Sequence, residues 1–228
     1  MTAPLVLFDL DGTLAETAGD LMAALNVVLG QEGVPPLPVE QARMLLGAGG
    51  RALIKRGFAT AGRSLTPEQL ERLFADFLRD YESHIAARSH LFPGVEAALD
   101  RLEAVGYAFA VCTNKMETTS LMLLDALGVT GRFRAICGQD SFAFHKPDAR
   151  TLPAVIAQAG GAPNRAVMVG DSITDIAAAK NAGIPVIAVD FGYTDVPVQD
   201  LGPDRVISHF DALLEAVTAL LPPDAVSA

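Results

Sequence analysis

Six short apolar runs, "PLVLF", "YAFAVC", "RAIC", "AVMVG", "PVIAV" and "RVI", recur along the chain, bounded by Gly, Pro or Asp. Runs of this length and composition read as strands buried on both faces. From residue 92 onward, helix-like segments separate them. "PGVEAALDRLEAVG" carries Val95, Leu99, Leu102 and Val105 at helical spacing, with Pro93 near its start and Gly106 at its end. Similar segments cover residues 117–127, 148–160, 173–182 and 210–221. Strand and helix in alternation predict an α/β fold, a doubly wound, Rossmann-like parallel sheet covered on both faces. With 228 residues, 50% of them hydrophobic, the chain can bury a large core and also carry an insertion.

Residues 15–89 break that rhythm. They contain no convincing strand, only helix-like stretches at 17–31, 38–46, 50–61 and 66–87. The last opens on "TPEQ", where Thr66 can cap, Pro67 suits the first turn and Gln69 can complete a capping box. Leu70, Leu73, Phe74, Phe77, Leu78 and Tyr81 then share one face and read as a buried packing stripe. The predicted organisation is a core of residues 1–14 and 90–228 with a helical cap of residues 15–89 inserted after the first strand.

The charge balance limits the partners. With 17 Lys and Arg against 27 Asp and Glu, a net charge of -10 gives no general means of holding nucleic acid or an anionic membrane. An anionic ligand therefore needs a local cationic pocket. Cys112 and Cys137 each sit in a strand-like run and read as buried free thiols. The first apolar run lacks a basic leader and is too short to span a bilayer, so the expectation is a cytoplasmic protein. No oligomeric state follows from the sequence.

Ligands of doubly wound sheets bind beyond the carboxyl ends of the strands. Polar residues directly after the predicted strands are Asp9 and Asp11, then Thr113, Asn114 and Lys115, then Asp171 and Asp175 in "VGDSITD". Lys146 lies in "SFAFHKPD", after the Cys137 strand. Carboxylates crowded on one rim repel unless a cation sits among them, and an oxygen-only donor set points to Mg²⁺. The four histidines are scattered without metal-ligand spacing. Asp9 and Asp171 would suffice as direct ligands, with Asp175 assisting from one helical turn along. Mg²⁺ and Lys146 could share a phosphoryl group, with Thr113 and backbone N–H groups donating to its other oxygens. One carboxylate of the Asp9–Asp11 pair could attack phosphorus while the other protonates the leaving alkoxide and later activates water.

"DLDGT", "CTNK", "HKPD" and "GDSITD", in this order, resemble the four signature motifs of the haloacid dehalogenase superfamily, in its Mg²⁺-dependent phosphatase branch. The likeness spans residues 5–220. It implies that Asp9 is the nucleophile, Asp11 the general acid and base, and Thr113 a phosphoryl-oxygen donor. It further implies that Lys146 neutralises charge and that Asp171 holds Mg²⁺ with Asp9 and the Asp11 backbone carbonyl, Asp175 supporting. The insert matches the position of the helical cap in such enzymes.

"DGTLAETAGDLMAALNVVL", "LLGAGGRALIKRG" and "FPGVEAALDRLEAVGYAFAVCTNK" are most similar to phosphoglycolate phosphatases, which implies a small phosphorylated metabolite, 2-phosphoglycolate, as substrate. One departure is Glu16-Thr17, where those enzymes commonly read Asp-Ser. In "GAGGRALIKR", Arg51 or the helix start is the candidate partner of the substrate carboxylate, and Asn114 and Lys146 join Thr113 as substrate-binding candidates. A phosphosugar phosphatase or phosphosugar mutase of the same superfamily shares the Asp pair and differs mainly in its cap. A receiver-like phospho-accepting module also gathers acids, Thr and Lys at strand ends, but needs neither cap nor second Asp. A dehalogenase would not need Asp11.

Overall fold

The computed structural model describes residues 2–223. The chain begins with β1 (Leu5–Phe8), β2 (Ala15–Glu16), α1 (Ala18–Gln31), α2 (Ala42–Leu45), α3 (Gly50–Thr60) and α4 (Pro67–Ser83). It continues through β3 (His90–Leu91), α5 (Val95–Ala104), β4 (Ala108–Cys112), α6 (Glu117–Ala126), β5 (Phe133–Cys137) and α7 (Thr151–Gln158). It ends with β6 (Ala166–Gly170), α8 (Ile173–Ala182), β7 (Val186–Val189), β8 (Arg205–Ile207) and α9 (Leu213–Leu220). All six predicted strands are present. They form one sheet in the order β5-β4-β1-β6-β7-β8. Every neighbouring pair is parallel.

Side chains alternate across the pleat, so each strand feeds two cores. Val6, Phe8, Phe109, Val111, Val167 and Val169 face one side and pack with α5, α6 and α9. Leu5, Leu7, Ala110, Cys112, Met168 and Ala188 face the other and pack with α7 and α8. Phe8 meets Phe109 edge-on at 5.8 Å. Cys112 and Cys137 are register partners on β4 and β5, and both are buried free thiols. Among the described residues, no helix is long and apolar enough to cross a membrane.

α1, α3 and α4 bury a third apolar cluster of their own, which includes Leu25, Val28, Ile54, Phe58, Leu73 and Phe77. The capping box at Thr66 forms as the sequence predicts, with Thr66 N donating to Gln69 Oε1 and Gln69 N to Thr66 Oγ1. Three predicted helices are shorter or more broken than expected. Residues 38–46 hold a 3₁₀ turn (Val39–Gln41) and then the single turn α2. α4 stops at Ser83, where the chain turns. α7 starts at Thr151 because the Asp148 carboxylate accepts from Arg150 N and holds a turn ahead of it.

The region read as lacking strands opens on one, β2, and a second, β3, follows directly after it. β2 and β3 pair antiparallel, Ala15 with Leu91 and Glu16 with His90, so both crossings between insert and core run side by side. Two-residue strands have no periodicity to read, and only the pairing reveals them. The Asp20 carboxylate ties the crossings again, accepting from Arg88 N, Ser89 N and Ser89 Oγ.

Candidate active site

The order β4-β1-β6 at the centre of the sheet sets three strand ends side by side. Thr113, Asp9 and Asp171 are the residues immediately after those strands, so backbone pairing alone brings them together. β1 is also where the winding of the sheet reverses, the position at which such folds open a crevice. The loop after β5 returns Lys146 beneath the same rim.

Asp9 is 6% exposed. Its Oδ1 accepts from Leu10 N at 2.7 Å and lies 3.1 Å from Lys146 Nζ. Lys146, 1% exposed, also donates to Asp175 Oδ1 at 2.5 Å. Asp175 sits in the first turn of α8, where its Oδ2 accepts from Ser172 N and Ser172 Oγ. Asp171 accepts from Thr13 Oγ1 at 3.1 Å and from Tyr193 N at 2.5 Å. Gly12 makes this closeness possible. Its φ is +81°, and a Cβ there would lie 2.4 Å from Asp171 Oδ2.

Carboxylate oxygens of Asp9, Asp171 and Asp175 come within 4.8 Å of one another, all three residues being buried. Burial, and then the Asp175 charge, push Asp9 up to about 7 despite the pull of Lys146. The same two causes hold Asp171 well above the ordinary carboxylate range. Burial opposes charge on Lys146, but Asp175 and Asp9 outweigh it and keep its pKa above the usual lysine value. Three acids against one lysine leave an excess of negative charge in a dry site, and this donor set of oxygens fits a hard divalent cation.

Asp11 points differently. Its Oδ1 accepts from Thr17 Oγ1 at 2.8 Å, and Lys115 Nζ lies 3.1 and 3.2 Å from its two oxygens. The neighbouring aspartates thus have separate partners, Asp9 below among the acids and Asp11 above, toward the insert. A cavity opens over both. Its core wall includes Asp9, Asp11, Thr113, Asn114, Lys115 and Gln139, and its opposite wall includes Leu46, Leu53, Phe74, Phe77, Leu78 and Tyr81. The predicted packing stripe of α4 therefore lines the cavity as well as the helical core. Asn114 Nδ2 donates to Lys146 O at 3.1 Å and steadies the lysine loop.

The structure does not bring Arg51 into this group. Its guanidinium pairs with both carboxylate oxygens of Glu71, at 2.7 and 2.8 Å, and lies over the Phe74 ring. The other half of that expectation fares differently, because Gly49 and Gly50 at the start of α3 do line the cavity. Arg56 is occupied too, donating to the carbonyls of Leu45 and Leu46.

Two contributors escape the sequence reading. Thr13 holds Asp171 from within "DLDGT". Tyr193, in the loop after β7, holds Asp171 with its N–H, while its hydroxyl accepts from Thr17 N and Ala18 N and donates to Glu16 Oε1 at 2.5 Å. Burial, and then the Glu16 bond, raise the Tyr193 phenol far above its usual range, so it stays a donor. The strand-end rule, applied once more to "PVIAV", reaches "DFGYTD" and would have found it.

The family model for haloacid dehalogenase-like hydrolases matches residues 6–189. A phosphoglycolate phosphatase of Mesorhizobium japonicum is 51% identical over 213 residues, covering 93% of this chain and 94% of that protein. One from Caulobacter vibrioides is 46% identical, with 95% of this chain and 91% of that protein covered. A crystal structure from Haemophilus somnus, described as a predicted phosphoglycolate phosphatase, superposes with a TM-score of 0.87 at 29% identity, over 95% of this chain and 99% of that one. Fold, site and relatives agree: the chain belongs to the haloacid dehalogenase-like hydrolases.

Proposed function

We propose that this protein is an Mg²⁺-dependent phosphate monoester hydrolase working through an aspartyl-phosphate, with 2-phosphoglycolate as its substrate. The observation that carries the chemistry is the position of Asp9, between the Lys146 ammonium and the cavity, with Asp11 two residues along at the same cavity and held by different partners, Thr17 and Lys115. In the first step, an Asp9 carboxylate oxygen attacks phosphorus and the ester P–O bond breaks. Asp11 gives its proton to the departing alkoxide. In the second step, Asp11 takes a proton from water, whose oxygen attacks the phosphoryl group and returns Asp9 as a carboxylate. Lys146 offsets charge at the reacting centre, and Thr113, 4% exposed at the end of β4, donates to a phosphoryl oxygen in this reading.

Asp9, Asp171 and the Asp11 carbonyl are the ligands we assign to Mg²⁺, with Asp175 acting through its bond to Lys146. Mg²⁺ would supply positive charge against the acids and polarise the phosphoryl oxygens. Residues 15–89 act as the cap in this reading, and closure on the paired crossings β2 and β3 would exclude bulk water. Such a cap also separates this chain from a bare phospho-accepting module.

The choice of 2-phosphoglycolate rests on the curated relatives of high identity, and the largely apolar wall facing the acids suits a small substrate with few hydroxyls. Mg²⁺-dependent phosphate release is to be measured over 2-phosphoglycolate, sugar phosphates, nucleotides and p-nitrophenyl phosphate, with EDTA controls. The expected result is a catalytic efficiency for phosphoglycolate far above the others. Flat activity over the panel would keep the chemistry and remove the substrate, and EDTA-resistant turnover would remove the metal.

A further inference from the structure

A phosphorylated acid presents two anions, and the phosphoryl subsite accounts for only one. Among the described residues that line the cavity, Lys115 is the single cation. Lys146 lies beneath the floor, committed to Asp9 and Asp175. Arg51 is committed to Glu71 outside the cavity. We infer that Lys115 is the carboxylate subsite and the residue that selects an acidic substrate, an inference that rests on the phosphomonoesterase reading above.

Lys115 stands two residues past Thr113, and its N–H donates to Thr113 Oγ1 at 3.2 Å. A ligand whose phosphoryl group lies against Asp9 and Thr113 therefore has Lys115 close to its other end. In 2-phosphoglycolate the carboxylate carbon is only two bonds from the ester oxygen, so a short separation between subsites is what the molecule requires. The ammonium has three donors, and Asp11 engages it at 3.1 and 3.2 Å. The remaining donor capacity can turn to a ligand.

The surroundings strengthen this charge. The Lys115 side chain is 6% exposed. Its Nζ lies 4.3 Å from the centroid of the Tyr81 ring, on α4, so the insert itself holds the ammonium in place. The facing wall contributes Leu53, Phe74, Phe77 and Leu78, which compete for no anion and exclude water that would screen one. α3 also begins on that wall with no side-chain cap at its N-terminus, so the positive end of its dipole adds to the Lys115 field. The simpler role for Lys115, balancing Asp11 alone, predicts no discrimination between esters with and without a carboxylate.

The test is a pair of substrates, 2-phosphoglycolate and ethyl phosphate, in which a methyl group replaces the carboxylate. The readout is the ratio of their kcat/KM values in the wild type and in Lys115→Met, whatever loss both esters share through Asp11. The ratio is expected to fall about 10- to 100-fold, the worth of one charged hydrogen bond. Lys115→Gln repeats the reading if the methionine variant does not fold. Equal loss for both esters would overturn the subsite and leave the phosphoglycolate reading standing. A wild type that prefers another phosphorylated acid, such as 3-phosphoglycerate, would overturn the phosphoglycolate reading alone, and the Lys115 ratio is then read on that acid and its decarboxylated counterpart. A wild type indifferent to the carboxylate in every pair would overturn both.

Discussion

Asp9 and Asp11 differ by position rather than by chemistry. Asp9 follows β1 directly and shares Lys146 with buried acids, whereas Asp11, beyond the strand end, faces Thr17 and Lys115. If Asp9 is the nucleophile, Asp9→Asn removes turnover for every ester, because no other carboxylate has its access to both Lys146 and the cavity. If Asp11 is the acid and base, its loss is selective. An alkoxide needs a proton to leave and p-nitrophenolate does not, so Asp11→Asn should still be phosphorylated by p-nitrophenyl phosphate but fail to hydrolyse the aspartyl-phosphate. Acid-quenched protein is then expected to carry phosphate that hydroxylamine removes, and an unlabelled variant contradicts the assignment. Lys146 is both buried and bridging, so Lys146→Met leaves Asp9 and Asp175 facing each other without their cation. We expect kcat to fall by about 10²–10³ and stability by about 3–5 kcal/mol. Urea unfolding monitored beside kinetics checks both, and a variant of wild-type rate removes Lys146 from the chemistry.

At the scale of elements, the legible parts of this protein were those that repeat a pattern. β1, β4, β6 and β7 are buried on both faces, so their residues had to be continuously apolar, and their ends then located Asp9, Thr113 and Asp171 without further information. Lys146 was the exception within the site, since it stands in an irregular loop well past the end of β5 and its reading leaned most on the family resemblance. The ribbon of β2 and β3 was not legible, because it depends on a contact between distant segments and has no period; the loop of Tyr193 could be reached from the end of β7, but not the bonds that Tyr193 makes there. Arg51 was misplaced for a related reason: its partner, Glu71, is on a different helix.

These same distant contacts tie the start of α1 to Asp171 through Tyr193. Tyr193 fastens Asp171 with its backbone and the start of α1 with its hydroxyl, and Glu16 accepts from that hydroxyl. Tyr193→Phe retains the bond to Asp171 and loses the others, including the acceptor for Thr17 N. A cost of about 1–3 kcal/mol is expected for leaving buried partners unpaired. In a double-mutant cycle with Glu16→Gln, the losses should fall short of additivity by about 1 kcal/mol. Strict additivity would show that the Glu16–Tyr193 contact contributes nothing to stability.

For the molecule as a whole, the crowded acids link stability to pH and to metal. Asp9 titrates at about 7 in the folded chain, against 3.8 as its reference value, and Asp171 is displaced in the same direction. Between about pH 4 and pH 7 the folded protein therefore keeps protons that the unfolded chain has released. With fewer protons bound to the unfolded state, stability falls as pH rises through this window and levels off above it. The net charge of -10 acts in the same direction through general repulsion, but added NaCl screens that part and leaves the buried site largely untouched. Mg²⁺ competes with those protons for the same oxygens, so it should bind weakly at pH 5 and well at pH 7.5. Thermal unfolding of EDTA-treated protein is thus expected to show a Tm that declines from pH 5 to pH 7.5 at high NaCl. Millimolar Mg²⁺ should raise Tm strongly at pH 7.5 and little at pH 5, and Asp171→Asn should reduce that difference. An equal rise at both pH values, or an undiminished one in Asp171→Asn, would mean that Mg²⁺ stabilises the protein somewhere other than among these carboxylates.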